Sequence, residues 1–188
     1  MRSRSLLFVA LATAGLVFGS GLAIAQVPTP APVAKPAALS DNLPIPDAPA
    51  PAVNKAWVVM DYATGQVLAG GNIDTPVEPA SITKVMTSYV IAAEMAAGKV
   101  KANDQVMMSE HAWRSGGAGT DGSYSGFEVN KTAPLVEMEK GMVVQSGNDA
   151  AIALAEHVAG SEQAFAQLMN AYAKKIGMTK SHFVNPHG

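Results

Sequence analysis

The sequence predicts an α+β domain in which an antiparallel hairpin is followed by a cluster of helices. Three observations carry that expectation. Trp57-Val58-Val59-Met60 and Gln66-Val67-Leu68 are short, β-prone apolar runs on either side of an Ala63-Thr64-Gly65 turn, the pattern of a hairpin. Ile82, Val85, Met86, Tyr89, Val90 and Ala93 recur at helical spacing. Three further helical stretches follow in close succession, near 134–145, 149–158 and 161–175.

The elements justify themselves in order. Asn72 to Pro79 is rich in Asp, Thr and Pro and reads as a loop. The first helix is expected to begin near Ser81, with Pro79 marking its entry and Gly98 its stop. Glycines 116, 117, 119, 122 and 126 make residues 115 to 126 a loop, and it lacks the Gly-Lys-Ser/Thr ending of a phosphate-binding loop. Pro134 opens the next helix, and Gly160 stops the one after it. Ser161 and Glu162 open the last, which closes with Lys174-Lys175 before Gly177, an arrangement that suits the helix dipole. There is no internal repeat.

Two segments precede the domain. Residues 1–25 read as a secretory signal: Arg2 and Arg4 supply the positive start, Leu6 to Ala25 is uncharged, and Ala23-Ile24-Ala25 gives the small-x-small cleavage pattern. Gly15, Gly19, Ser20 and Gly21 dilute the apolar run, which argues against an uncleaved membrane span. Export to the periplasm is the expectation. Residues 26–54 carry prolines 28, 30, 32, 36, 44, 46, 49 and 51 among many alanines, the composition of an extended tether. The structured domain is expected over 55–188.

Composition excludes several functions. With 13 Lys+Arg against 15 Asp+Glu and a net charge of -2, there is no electrostatic case for nucleic-acid binding. The absence of cysteine removes disulfides, thiolate metal sites and a cysteine nucleophile. No Gly-x-Ser-x-Gly elbow is present, and His111, His157, His182 and His187 form no His-Glu-x-x-His. His182 and His187 lie five apart across Pro186, poor spacing for a zinc pair, and His157 reads as a packed or surface residue. The ten methionines read as core filler.

Ser81-Ile82-Thr83-Lys84 is the sharpest chemical feature. On a helix, residues three apart share a face, so the Lys84 amine reaches the Ser81 hydroxyl. A serine at a helix start also lies where backbone N–H groups favour developing negative charge. Lys84 must be neutral to accept a proton, and burial or a nearby cation lowers its pKa. Read alone, the segment better suits a capped helix with a surface lysine. Ser146-Gly147-Asn148 falls at a break between helices, where a hydroxyl and an amide suit proton relay and substrate binding or, more simply, an N-cap. Two look-alikes are rejected. Ser40-Asp41-Asn42 lies in the tether, and Lys131-Thr132-Ala133 has Ala where a Lys-Thr-Gly strand needs Gly for close substrate approach.

Taken together, the motifs point further. Glu78-Pro79-Ala80-Ser81-Ile82-Thr83-Lys84-Val85-Met86-Thr87 resembles the nucleophile segment of the serine D-alanyl-D-alanine carboxypeptidases, the low-molecular-mass penicillin-binding proteins of peptidase S11 type. Val144-Gln145-Ser146-Gly147-Asn148-Asp149-Ala150 is similar to their second motif, and Asn185-Pro186-His187-Gly188 to a segment that follows it. Ser-x-x-Lys, Ser-Asp-Asn and Lys-Thr-Gly are signatures of the wider superfamily. The resemblance implies a β-lactamase/transpeptidase-like fold, an antiparallel sheet with a helical cluster. It implies Ser81 as acylating nucleophile, Lys84 as its proton acceptor, Ser146 as proton relay and Asn148 as holder of the substrate amide. The implied substrate is a peptidoglycan stem peptide, with β-lactams as inhibitors and no metal or organic cofactor.

The family's third motif, Lys-Thr-Gly, should follow Asn185-Pro186-His187-Gly188, but the sequence stops first. The expectation is therefore a C-terminally truncated carboxypeptidase, inactive as it stands and lacking the family's membrane-associated C-terminal helix. An unpaired hairpin edge and an exposed helix face should accompany that. A serine β-lactamase is the enzymatic alternative, weakened by Gly147 in place of Asp and by the lack of Glu-x-x-Leu-Asn. An exported, non-catalytic wall-binding module is the other.

Overall fold

The computed structural model describes residues 56–188; the expected signal (1–25) and tether (26–54) lie outside the described residues. Strand β1 (Trp57–Met60) pairs antiparallel with β2 (Val67–Gly71), Trp57 opposite Gly71 and Val59 opposite Ala69. Asp61 fixes the turn: its Oδ1 accepts from the Thr64 N–H at 2.7 Å and from the Thr64 hydroxyl at 2.6 Å. The hairpin is as expected. Val58, Val59 and Met60, which alternate between its two faces, are all exposed.

The first helix starts later than the sequence suggested. Ala80–Ile82 form a 3-10 turn, and helix α1 runs Thr83–Ala96. Ala80 has φ 46°, in the left-handed region, so a regular α-helix cannot pass through it. Three short elements were not expected: β3 (Gln105–Met107), α2 (Glu110–Gly116) and β4 (Thr132–Pro134). β3 and β4 form a second antiparallel pair, Val106 opposite Ala133. The rejected Lys131-Thr132-Ala133 therefore does run into a strand, but one joined to β3 rather than to the hairpin.

Helices α3 (Leu135–Gln145), α4 (Asn148–Ala159) and α5 (Glu162–Lys175) match their predicted bounds closely. Ser161 caps α5 by accepting from the Ala164 N–H at 3.1 Å. α4 is the centre of the domain. Every residue from Asp149 to Ala155 is buried, and α1, α2, α3, α5 and β3 all pack on it. A helix surrounded on all sides reads as apolar all round, and Ala150, Ala151, Ala153 and Ala155 keep its girth small enough for those neighbours to approach. Met86, Met108, Met138, Met142 and Met169 fill the spaces between them.

One expectation about the core needs correction. Ile82 and Val85, counted on the apolar face of α1, are 71% and 70% exposed. They border a cleft of about 690 Å³ shared with Ile73, Val77, Tyr89 and Phe183. Periodicity identified an apolar face but not which part of it is covered.

Candidate active site

The described structure brings Ser81, Lys84, Ser146 and Asn148 together. Lys84 lies in the first turn of α1 and is 6% exposed. Its Nζ is 2.9 Å from Ser81 Oγ, 3.3 Å from Ser146 Oγ, 2.7 Å from Asn148 Oδ1 and 3.3 Å from the backbone oxygen of His187. Burial holds the amine below the usual lysine pKa.

Local backbone explains each placement. The 3-10 turn carries exposed Ser81 into α1, three residues before Lys84. Ser146 ends α3 in the left-handed conformation, φ 57° and ψ 31°, which folds the chain back at once into α4. Gly147 is confined there: a Cβ would stand 2.8 Å from both Ser125 N and Asp149 Oδ1. Asn148 then opens α4, its N–H donating to the Ser123 oxygen at 2.8 Å. Buried Asp149 ties down the glycine-rich loop, accepting from Ser125 N at 2.8 Å and Ser125 Oγ at 2.7 Å.

Sequence reasoning singled out Asn185-Pro186-His187-Gly188 by resemblance but did not place it against Lys84. The Asn185–Gly188 segment is held as a tight turn, Asn185 Oδ1 accepting from the N–H groups of His187 (3.2 Å) and Gly188 (2.6 Å). Asn170 on α5 brackets its approach by donating to the Phe183 oxygen at 2.7 Å and accepting from the Phe183 N–H at 2.8 Å. Thr87 donates to the Pro186 oxygen at 2.6 Å. Together these contacts aim the His187 carbonyl at Lys84. The signal was the Asn-Pro pair, which marks a turn without saying where that turn docks.

The four partners can satisfy Lys84 in either form, because the serine hydroxyls accept as well as donate, and burial favours the neutral one. An ammonium has three protons and no lone pair, whereas a neutral amine has two protons and one lone pair. Asn148 Oδ1 and the His187 carbonyl can only accept. They match the two N–H bonds of a neutral amine, leaving the lone pair for a serine hydroxyl, and Ser81 Oγ is the nearer one. The arrangement can therefore take a proton from Ser81, with Ser146 beside the same nitrogen for onward transfer.

The family model described as D-alanyl-D-alanine carboxypeptidase, peptidase S11, matches residues 46–188. The D-alanyl-D-alanine carboxypeptidase DacC of Escherichia coli K12 is 47% identical over 141 residues, covering 74% of this chain and 35% of DacC. The crystal structure of the carboxypeptidase DacD from Francisella tularensis aligns with a TM-score of 0.68 at 42% identity, over 79% of this chain and 35% of that one. Penicillin binding protein 6B from Escherichia coli aligns with a TM-score of 0.69 at 34% identity, over 79% of this chain and 47% of that one. The α+β, transpeptidase-like fold expected from the motifs is thus the fold observed. The chain spans about a third of the length of the curated relative it matches. On the family match and on this fold, the chain belongs to the D-alanyl-D-alanine carboxypeptidase family, peptidase S11.

Proposed function

We propose that the protein is a serine D-alanyl-D-alanine carboxypeptidase that removes the terminal D-alanine from peptidoglycan stem peptides. The observation that carries this is the buried Lys84 amine, set 2.9 Å from Ser81 Oγ with two obligate acceptors on its hydrogens. Ser81 attacks the carbonyl between the two D-alanines as neutral Lys84 takes its proton. Ser146 relays that proton to the leaving amine, and an ester on Ser81 remains. Water then releases the shortened peptide. A β-lactam forms the same ester and stalls there. Asn148 holds the substrate amide through its Nδ2, since its Oδ1 faces Lys84. Residues 1–25 direct the protein to the periplasm.

The test is to exchange residues 56–188 into the matching segment of the Escherichia coli DacC. Release of D-alanine from a peptide ending in D-Ala-D-Ala, lost on Ser81→Ala, is the expected result. Release that survives Ser81→Ala contradicts the assignment. Steady hydrolysis of a penicillin would favour a β-lactamase, and peptidoglycan binding without hydrolysis a non-catalytic module.

A further inference from the structure

The Asn185–Gly188 turn is organised around a single side-chain oxygen. Asn185 Oδ1 accepts from the His187 N–H at 3.2 Å and from the Gly188 N–H at 2.6 Å. Those N–H groups belong to consecutive peptide planes, and each plane is also held at its opposite edge. The Pro186 oxygen, on the first plane, accepts from the fully buried Thr87 hydroxyl at 2.6 Å. The His187 oxygen, on the second, accepts from Lys84 Nζ at 3.3 Å. Pro186 has no N–H of its own to compete for the Asn185 oxygen.

We propose that Asn185 is a positioning residue for Lys84, acting through the peptide plane that carries the His187 carbonyl. The proposal rests on the reading of Lys84 as proton acceptor. A peptide unit is planar, so the rotation that swings its C=O about the line between the two Cα atoms also swings its N–H. An acceptor on the Gly188 N–H therefore fixes the direction of the His187 C=O. The Lys84 amine, in turn, is free to rotate about its Cε–Nζ bond until its partners stop it. Asn148 Oδ1 and the His187 oxygen only accept, so they take its N–H bonds and leave the lone pair on the side of the serine hydroxyls. Asn148 fixes one direction from α4. Asn185 fixes the other through the backbone. Loosening the Asn185 plane lets that N–H turn away, and the lone pair with it, which costs orientation rather than substrate binding.

The first test is NMR on the 188-residue chain. His187-Gly188 is the one His-Gly pair in the sequence, so carbonyl-¹³C histidine and ¹⁵N glycine together give a single correlated signal from this plane. Lys84→Met should move the His187 carbonyl upfield in the wild-type background, and the move should vanish in the Asn185→Ala background. Asn185→Asp keeps an acceptor oxygen and should retain it. Thr87→Val loosens only the neighbouring plane and should cost much less of it than Asn185→Ala does. Circular dichroism establishes that each variant is folded.

The second test uses the exchange into DacC. Asn185→Ala should lower the rate constant for acylation of Ser81 by a penicillin about tenfold and leave the half-saturating penicillin concentration unchanged. No acylation in the unsubstituted exchange would defeat the reading of Lys84, while the carbonyl shift would still decide the positioning. A Lys84→Met shift that persists in Asn185→Ala, an equal loss in Thr87→Val, or an unchanged acylation rate in Asn185→Ala would overturn the proposal.

Discussion

The Lys84 amine lies closer to Asn148 Oδ1 (2.7 Å) than to the Ser81 hydroxyl it is proposed to deprotonate (2.9 Å). In the proposed mechanism Asn148 thus has two jobs. Its oxygen orients the base, and its Nδ2 is left for the substrate. Replacing it by Asp puts a carboxylate on the amine and favours the ammonium form. An upward shift of about one pKa unit leaves about tenfold less neutral amine at pH 7. In Asn148→Asp, labelling of Ser81 by a fluorescent penicillin should fall by that order at neutral pH and recover as pH rises. An unchanged pH profile would show that Asn148 does not set the state of Lys84.

Gly122 tests the loop's part in holding Asn148. A Cβ at Gly122 would overlap Asn148 Nδ2, which is the end of a side chain and can move. Gly122→Ala should therefore cost under about 1 kcal/mol of stability, yet slow Ser81 labelling several-fold. Urea denaturation read beside labelling rates separates the two effects.

The Asp149–Ser125 clasp should matter for stability first. Asp149→Ala leaves the Ser125 N–H and hydroxyl without their partner, a loss of about 1–3 kcal/mol. Chemical denaturation measures it. The same change releases the loop that carries Gly122 and Ser123, so labelling should fall as well.

A buried polar pair ties α5 to α1. Tyr172 donates to Glu94 Oε1 at 2.6 Å, and Lys99 reaches Glu94 Oε2 at 2.7 Å. Burial, and then the Glu94 contact, push the Tyr172 hydroxyl up to about 12. Because the folded state holds this proton more tightly than the unfolded chain, the stability it confers is complete below about pH 10 and is lost as pH rises towards 12. Burial alone would raise the Glu94 pKa, but its bonds to Lys99 and Tyr172 outweigh that and leave it lowered. Its contribution is therefore present above the ordinary Glu range and is lost on acidification. Tyr172→Phe should destabilise by about 1–2 kcal/mol at pH 7, and the deficit should shrink above pH 10 in thermal melts.

Local chemistry made part of the structure legible beforehand. Ser161, Gly160 and Gly177 announce the ends of α4 and α5 through a side-chain cap and left-handed glycines, and these signals depend on a few adjacent residues. Ser81, Lys84, Ser146 and Asn148 could be named because their spacing and motif resemblance mark them. β3 and β4 could not: each has three residues, and their pairing joins Gln105 to Pro134 across a long intervening segment. The Ser109 cap on α2 was readable in principle, since its hydroxyl accepts from the Ala112 N–H at 3.0 Å, but seven residues make too little periodicity to find. Nor could the pattern show that Asn185–Gly188 returns to Lys84, because that contact spans the whole domain.

The most direct measurement is the site of a covalent adduct. The 188-residue chain is incubated at length with a labelled penicillin, digested and read by peptide mass spectrometry. The expected result is a slowly formed ester confined to Ser81, absent in Ser81→Ala and strongly reduced in Lys84→Met. An adduct on any other residue, or none on Ser81, would contradict Ser81 as the nucleophile.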